Sequence, residues 1–200
     1  MKISIRKYIN LISLAISFIA LYFLIVEHNL FISLGFLLFS AVLFLPRIIY
    51  KKLDLKEKFG VQLLDWLEVI FSFSIILSVG GYLWLFDKLY DYDAYVHFFI
   101  PLLLFILIAI TASAILQYNE IKNNKSDIIL LSLVIVISLL LLWELFEYFV
   151  TTKLNINLFF TDQQPRDTLY DVIIGFLSLQ VGSVIVYKYH DLFFKSIRKK

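Results

Sequence analysis

Six stretches of this chain, residues 8–26, 30–45, 63–86, 94–116, 128–150 and 169–189, are long, apolar and poor in charge. No other feature narrows the possible folds as far. Crossing about 30 Å of hydrocarbon takes roughly 20 helical residues at about 1.5 Å each, and each stretch approaches or exceeds that length. Composition agrees: 61% of the 200 residues are apolar and 17% charged. A soluble domain is nearer half apolar and a quarter charged, and a fold of this size could not hide the excess from water. A water-soluble enzyme, a disordered tail and a coiled coil are thereby excluded. The expected class is all-α: one integral membrane domain over residues 1–200, a polytopic helical bundle of about six transmembrane helices. The chain contains no cysteine, so disulfides, thiolate ligands and thiol nucleophiles are also excluded.

The second stretch is the shortest. It ends at Pro46 and is separated from the first by Glu27, His28 and Asn29 alone, which predicts a tight helical hairpin. The first stretch follows Lys2, Arg6 and Lys7, as a signal peptide would. Its apolar run is long for a signal and no A-x-A site follows, so it is read as a retained helix.

With six helices both termini share a side, and fifteen of the eighteen basic residues fall on it. Only Lys88, Lys153 and Arg166 fall on the other. The positive-inside rule then predicts cytoplasmic termini in a multi-pass protein of the inner or plasma membrane. Nine of the sixteen acids gather at the opposite, outer face: Glu27, Asp87, Asp91, Asp93, Glu144, Glu147, Asp162, Asp167 and Asp171. Asn124-Lys125-Ser126 matches a glycosylation acceptor, but it lies in an expected cytoplasmic loop and is discounted.

Ionisable residues inside a span are costly and suggest function. The fourth helix opens with Asp93 and His97, four apart and so on one face. The fifth ends with Trp143-Glu144-Leu145-Phe146-Glu147, whose two acids stand three apart on one side. Two carboxylates so close repel, so one is protonated unless a cation joins them. The plainer reading has Glu147 reaching water and Glu144 pairing with Arg166. The sixth helix opens with Asp162-Gln163-Gln164-Pro165-Arg166-Asp167 and continues to Asp171. Asp167 fits simple N-terminal capping, whereas Asp171 lies a full turn deeper. A stripe of Asp167, Asp171, Gly175, Ser178 and Gly182 keeps one face with small residues for close packing, which points Asp171 inward. Asp65 and Glu68 on the third helix, beside Trp66 and Lys58, read as an interfacial cluster without chemistry. Nothing is expected of His28 or His190.

His97, Glu144, Glu147 and Asp171 are the candidate catalytic residues. Asp93, His97, Glu144, Glu147, Asp167 and Asp171 are the candidate metal ligands, with Arg166, Gln163 and Gln164 as further polar neighbours. One imidazole with several carboxylates suits Mg²⁺, Mn²⁺, Ca²⁺ or Zn²⁺, and equally metal-free acid–base work. A single His makes a hydrolase-type zinc site a poor match, and no G-x-S-x-G, S-x-x-K or phosphate-binding loop is present.

The run around Trp143-Glu144 and Glu147, the segment from Asp162 to Asp171, and Asp93-x-x-x-His97 together resemble the YjdF-like family of small inner-membrane proteins. More distantly, Arg166, Asp167 and Asp171 are similar to a motif of VanZ-like proteins, tied to the cell envelope and glycopeptide resistance. Gly175 stands where that second pattern has Asn. The resemblance spans roughly residues 87–180 and implies topology and site rather than a settled reaction.

Three functions stay open at this level: a metal-assisted lipid- or cell-envelope-modifying protein, a small cation or proton transporter, and a non-catalytic accessory protein whose polar cluster locks helices together. Whether the protein is an enzyme is thus undecided by sequence. Membrane lipids are the expected partners and nucleic acid is not; protein partners are not legible.

Overall fold

The computed structural model describes residues 5–85, 89, 92–121, 124–154 and 166–195; of these, the side chains of residues 154, 166, 167 and 192–195 are left undescribed. Among the described residues every regular element is a helix, as a chain facing lipid requires: hydrocarbon offers no partner for a backbone N–H or C=O, and a helix satisfies them internally. Hydroxyls inside the spans are handled the same way. Thr111, Ser132, Ser138 and Ser183 each donate to the carbonyl four residues back, at 2.7–2.8 Å. Five helices are long and apolar enough to cross a membrane, or six if one bent pair forms a span. Leucine, isoleucine, valine and aromatic side chains stay exposed along them, a surface suited to lipid rather than water. The protein is therefore a multi-pass helical membrane protein.

The chain divides into two compact units. The first holds α1 (Ile5–Ile25), α2 (Leu30–Val42), α3 (Leu45–Lys52) and α4 (Leu55–Gly80). The predicted α1–α2 hairpin is present. Asn29 caps α2 by accepting from the Ile32 amide. Ser40 meets Ser13 at 2.7 Å and Ser17 at 2.9 Å across the pair, while Ile9, Ile16, Ala20, Phe36, Ile75 and Val79 form the apolar core of this unit.

Two boundaries differ from the sequence reading. Pro46 does not end the second span. Helix α2 stops at Val42, and Pro46 sits in the first turn of α3, which is bent 44° from α2. A proline lacks an N–H that the first turn would leave unused anyway, so it starts a helix as readily as it ends one. The third span begins before residue 63, because α4 runs from Leu55 across a break at Gly60, where φ is +72°. That left-handed backbone is open to glycine at little cost.

The second unit holds a π-helical turn (Gly81–Leu85), α5 (Tyr92–Tyr118), α6 (Lys125–Leu154) and α7 (Arg166–Lys195). Asn124 and Asp127 cap α6 reciprocally, each side chain accepting from the other's amide at 2.9 and 3.2 Å. All three long helices pack on one another around Phe105, Ala109, Ile128, Val136, Leu179 and Val186. The small-residue stripe of α7 does face inward: Ser178 is fully buried, and Gly175 and Gly182 lie against Leu140 of α6 and Phe105 of α5.

A methyl group added at Gly182 would stand 2.8 Å from Phe105 Cδ1 and 3.2 Å from its Cγ, on a ring with no exposed surface. One added at Gly175 would meet only the branched end of Leu140, which can change rotamer. Gly182→Ala should therefore lower stability by about 1–3 kcal/mol through overpacking. Gly175→Ala should cost clearly less, because alanine's higher helix propensity offsets part of the clash. Thermal unfolding of both variants in mild detergent checks the order.

Candidate functional site

Helices α5 and α7 both begin at the end of the second unit where α6 finishes, since α6 runs antiparallel to each. That arrangement gathers the polar residues of three helices. Asp93 lies in the first turn of α5, where the helix dipole favours a negative charge. His97 follows one turn deeper. Glu144 and Glu147 come from the C-terminal half of α6, and Asp171 from the second turn of α7. His97, Glu144, Glu147 and Asp171 are buried, while Asp93 retains 22% of its side-chain exposure.

His97 is the centre. Its Nε2 lies 3.6 Å from Asp93 Oδ1 and 3.9 Å from Asp171 Oδ2, and its Nδ1 lies 3.5 Å from Glu144 Oε1. Two triads thus share the imidazole, Asp93–His97–Asp171 and His97–Glu144–Glu147, each with ligand atoms within 4.8 Å of one another. These spacings exceed the usual 2.7–3.2 Å or so of a hydrogen bond. They match the separation of donor atoms that each stand about 2.0–2.6 Å from a shared ion, which is roughly 3–4 Å by simple geometry. Two carboxylate charges no more than 4.8 Å apart repel by at least about 3.5 kcal/mol at an effective dielectric near 20. The arrangement is one that a divalent cation would relieve.

Of the residues singled out by sequence, five are brought together: Asp93, His97, Glu144, Glu147 and Asp171. Glu144 faces His97, a contact the Arg166 pairing did not foresee. Asp167 and Arg166 belong to the first turn of α7, but their side chains fall outside the described residues, as do Gln163 and Gln164 altogether. Sequence reasoning missed one feature of this site. Pro101, buried inside α5, has no N–H to donate to the carbonyl of His97 four residues earlier, so the regular helical bond at the central residue is removed. The signal was visible in the spacing of His97 and Pro101.

A second buried polar group lies in the first unit. Glu68 of α4 has no exposed surface and pairs with Arg47 of α3. Arg47 also donates to Asn10 Oδ1 at 2.9 Å and to the Arg6 carbonyl at 3.3 Å. Sequence reads Glu68 as part of an interfacial cluster without chemistry; its carboxylate is buried in the protein and matched by a cation from another helix.

Residues 8–192 match the model of a family described as "Predicted membrane protein (DUF2238)". No curated protein matches the chain, and no solved structure does. The YjdF-like resemblance denotes this same family, whereas the VanZ-like one finds no support. The match covers nearly the whole chain, including all five gathered site residues, and the protein belongs to the DUF2238 family of predicted membrane proteins.

Proposed function

We propose that this protein is a metal-assisted enzyme that modifies a lipid or another cell-envelope component, with its centre opening to the outer face of the cytoplasmic membrane. The observation that carries the reading is the buried His97 with carboxylates from three helices on both of its ring nitrogens. A neutral imidazole has one lone pair for a metal and one N–H to give away. Asp93 and Asp171 converge on Nε2, and Asp93 is the group with access to solvent. Catalytic metal sites need such an open position. Asp93, His97 and Asp171 are therefore assigned as ligands of a divalent cation. Glu144 stands 3.5 Å from Nδ1, on the side where an outer carboxylate usually orients a metal-bound histidine. Glu147, beside Glu144 in the second triad, is assigned as the proton carrier. A bound cation would acidify a coordinated water for attack on a headgroup ester or phosphoester, and Glu147 would take the proton that this water sheds and pass it to the departing alkoxide.

Two observations weigh against the alternatives. A transporter needs a polar path through the span. The hydroxyls below Asp171 in this unit are already bonded within their own helices, Ser178 to the Gly175 carbonyl and Thr111 to that of Leu107. A cluster that locked the helices through His97 would hold its ring by close hydrogen bonds, and the His97–carboxylate contacts are 3.5–3.9 Å.

The test is turnover. Protein reconstituted with defined phospholipids and Mn²⁺ or Mg²⁺ should yield a lipid product detectable by mass spectrometry, absent with His97→Ala. No product from any lipid class or envelope precursor tried, with a folded and metal-loaded protein, would remove the enzymatic reading.

A further inference from the structure

At the opposite end of the second unit, a groove of about 530 Å³ lies along the α6–α7 pair, lined by Ile129, Ser183, Val184, Tyr187 and Lys188. The residues from α7 fall three and four apart and so share a face. Ser183 donates inward to the Leu179 carbonyl at 2.8 Å, leaving the groove wall apolar. Val184 and Tyr187 are among the most exposed apolar side chains of α7. In a membrane protein, such a surface meets acyl chains.

Charge marks the groove's polar end. Lys125 stands one turn before Ile129 on α6. Its ammonium lies 5.7 Å from the Tyr187 ring and 3.7 Å from Asp191 Oδ2. Lys188 extends over Tyr189, at 5.5 Å. Asp191 is 74% exposed, and ion pairs so open to solvent contribute little and exchange readily. By the distribution of basic residues, this is the cytoplasmic end, where anionic lipid headgroups concentrate.

We infer that the α6–α7 groove is a binding site for an anionic glycerophospholipid. One acyl chain lies along Ile129, Val184 and Tyr187. The phosphate sits between Lys125 and Lys188, displacing Asp191 from Lys125. The apolar wall and the two lysines near its polar end together select this occupant: a zwitterionic lipid would bring its own cation to the lysines, and a free anion would leave the apolar wall unused. The inference does not depend on the proposed metal centre, which lies at the other end of the same helices.

Full-length protein in mild detergent, titrated with phosphatidylglycerol and separately with phosphatidylcholine, tests it, with bound lipid read by native mass spectrometry. Phosphatidylglycerol should be retained and phosphatidylcholine should not. Lys125→Gln with Lys188→Gln should weaken phosphatidylglycerol binding by about thirtyfold, from the loss of two near-surface lysines. If the double variant fails to fold, Lys188→Gln alone should weaken binding about fivefold. Equal retention of the two lipids, or unchanged phosphatidylglycerol binding in a folded variant, would overturn the site.

Discussion

Replacing Arg47 by alanine should destabilise the first unit by about 3–5 kcal/mol, the range for breaking a buried ion pair by removing one partner. Arg47 retains 23% of its side-chain exposure, whereas Glu68 has none. Without Arg47, the Glu68 carboxylate is left inside the protein with no cation. Without Glu68, the guanidinium still reaches Asn10 and the Arg6 carbonyl. Arg47→Ala should therefore cost more than Glu68→Ala. Replacing both with apolar residues of similar volume, as in Arg47→Met with Glu68→Leu, should recover much of the loss, because the pair itself is worth little against its desolvation. Thermal unfolding of the two single variants and the double variant in detergent supplies the cycle. A double variant as unstable as the two singles combined would mean that the pair is not the unit of stabilisation.

The second large effect concerns metal affinity, and it separates the two sides of His97. With the cation on the Nε2 side, Asp171→Asn removes a ligand and should lower Mn²⁺ affinity by more than about a hundredfold. Glu144→Gln replaces the carboxylate facing Nδ1 with a neutral amide and should lower it by about 10–100-fold, the span for such outer partners. Affinity should also rise with pH in the wild type, since imidazole and carboxylates must shed protons to bind a metal. Titration of each purified variant with Mn²⁺, followed by electron paramagnetic resonance, gives the comparison. The reverse order would move the ion to the Glu144–Glu147 side.

What sequence conveyed and what it withheld follow from the range of the interactions. Helices announce themselves locally, because a span needs an unbroken apolar run, and five of the six expected stretches lie, over their described residues and to within one residue, inside a continuous helical run. The sixth depended on one residue, Pro46, whose missing N–H suits both the end of one helix and the start of the next. Residue spacing also carried the site's faces: Asp93 with His97, Glu144 with Glu147, and Asp171 with the inward stripe of Gly175, Ser178 and Gly182. That those faces meet on His97 is a matter of packing between helices, and a periodic pattern says nothing of its neighbour. Glu68 shows the same limit. Its partner Arg47 lies 21 residues away on another helix, and a lone acid near a helix end reads as a surface group until that cation is in place.

The central claim is that the carboxylates around His97 hold a divalent cation. Elemental analysis of full-length protein, dialysed in mild detergent against micromolar Mn²⁺ without chelator, measures it directly, with Asp171→Asn and His97→Ala alongside. The account predicts stoichiometric manganese in the wild type and little in either variant, with all three folded. Folded wild-type protein that retains no manganese, or variants that retain as much as the wild type, would contradict it.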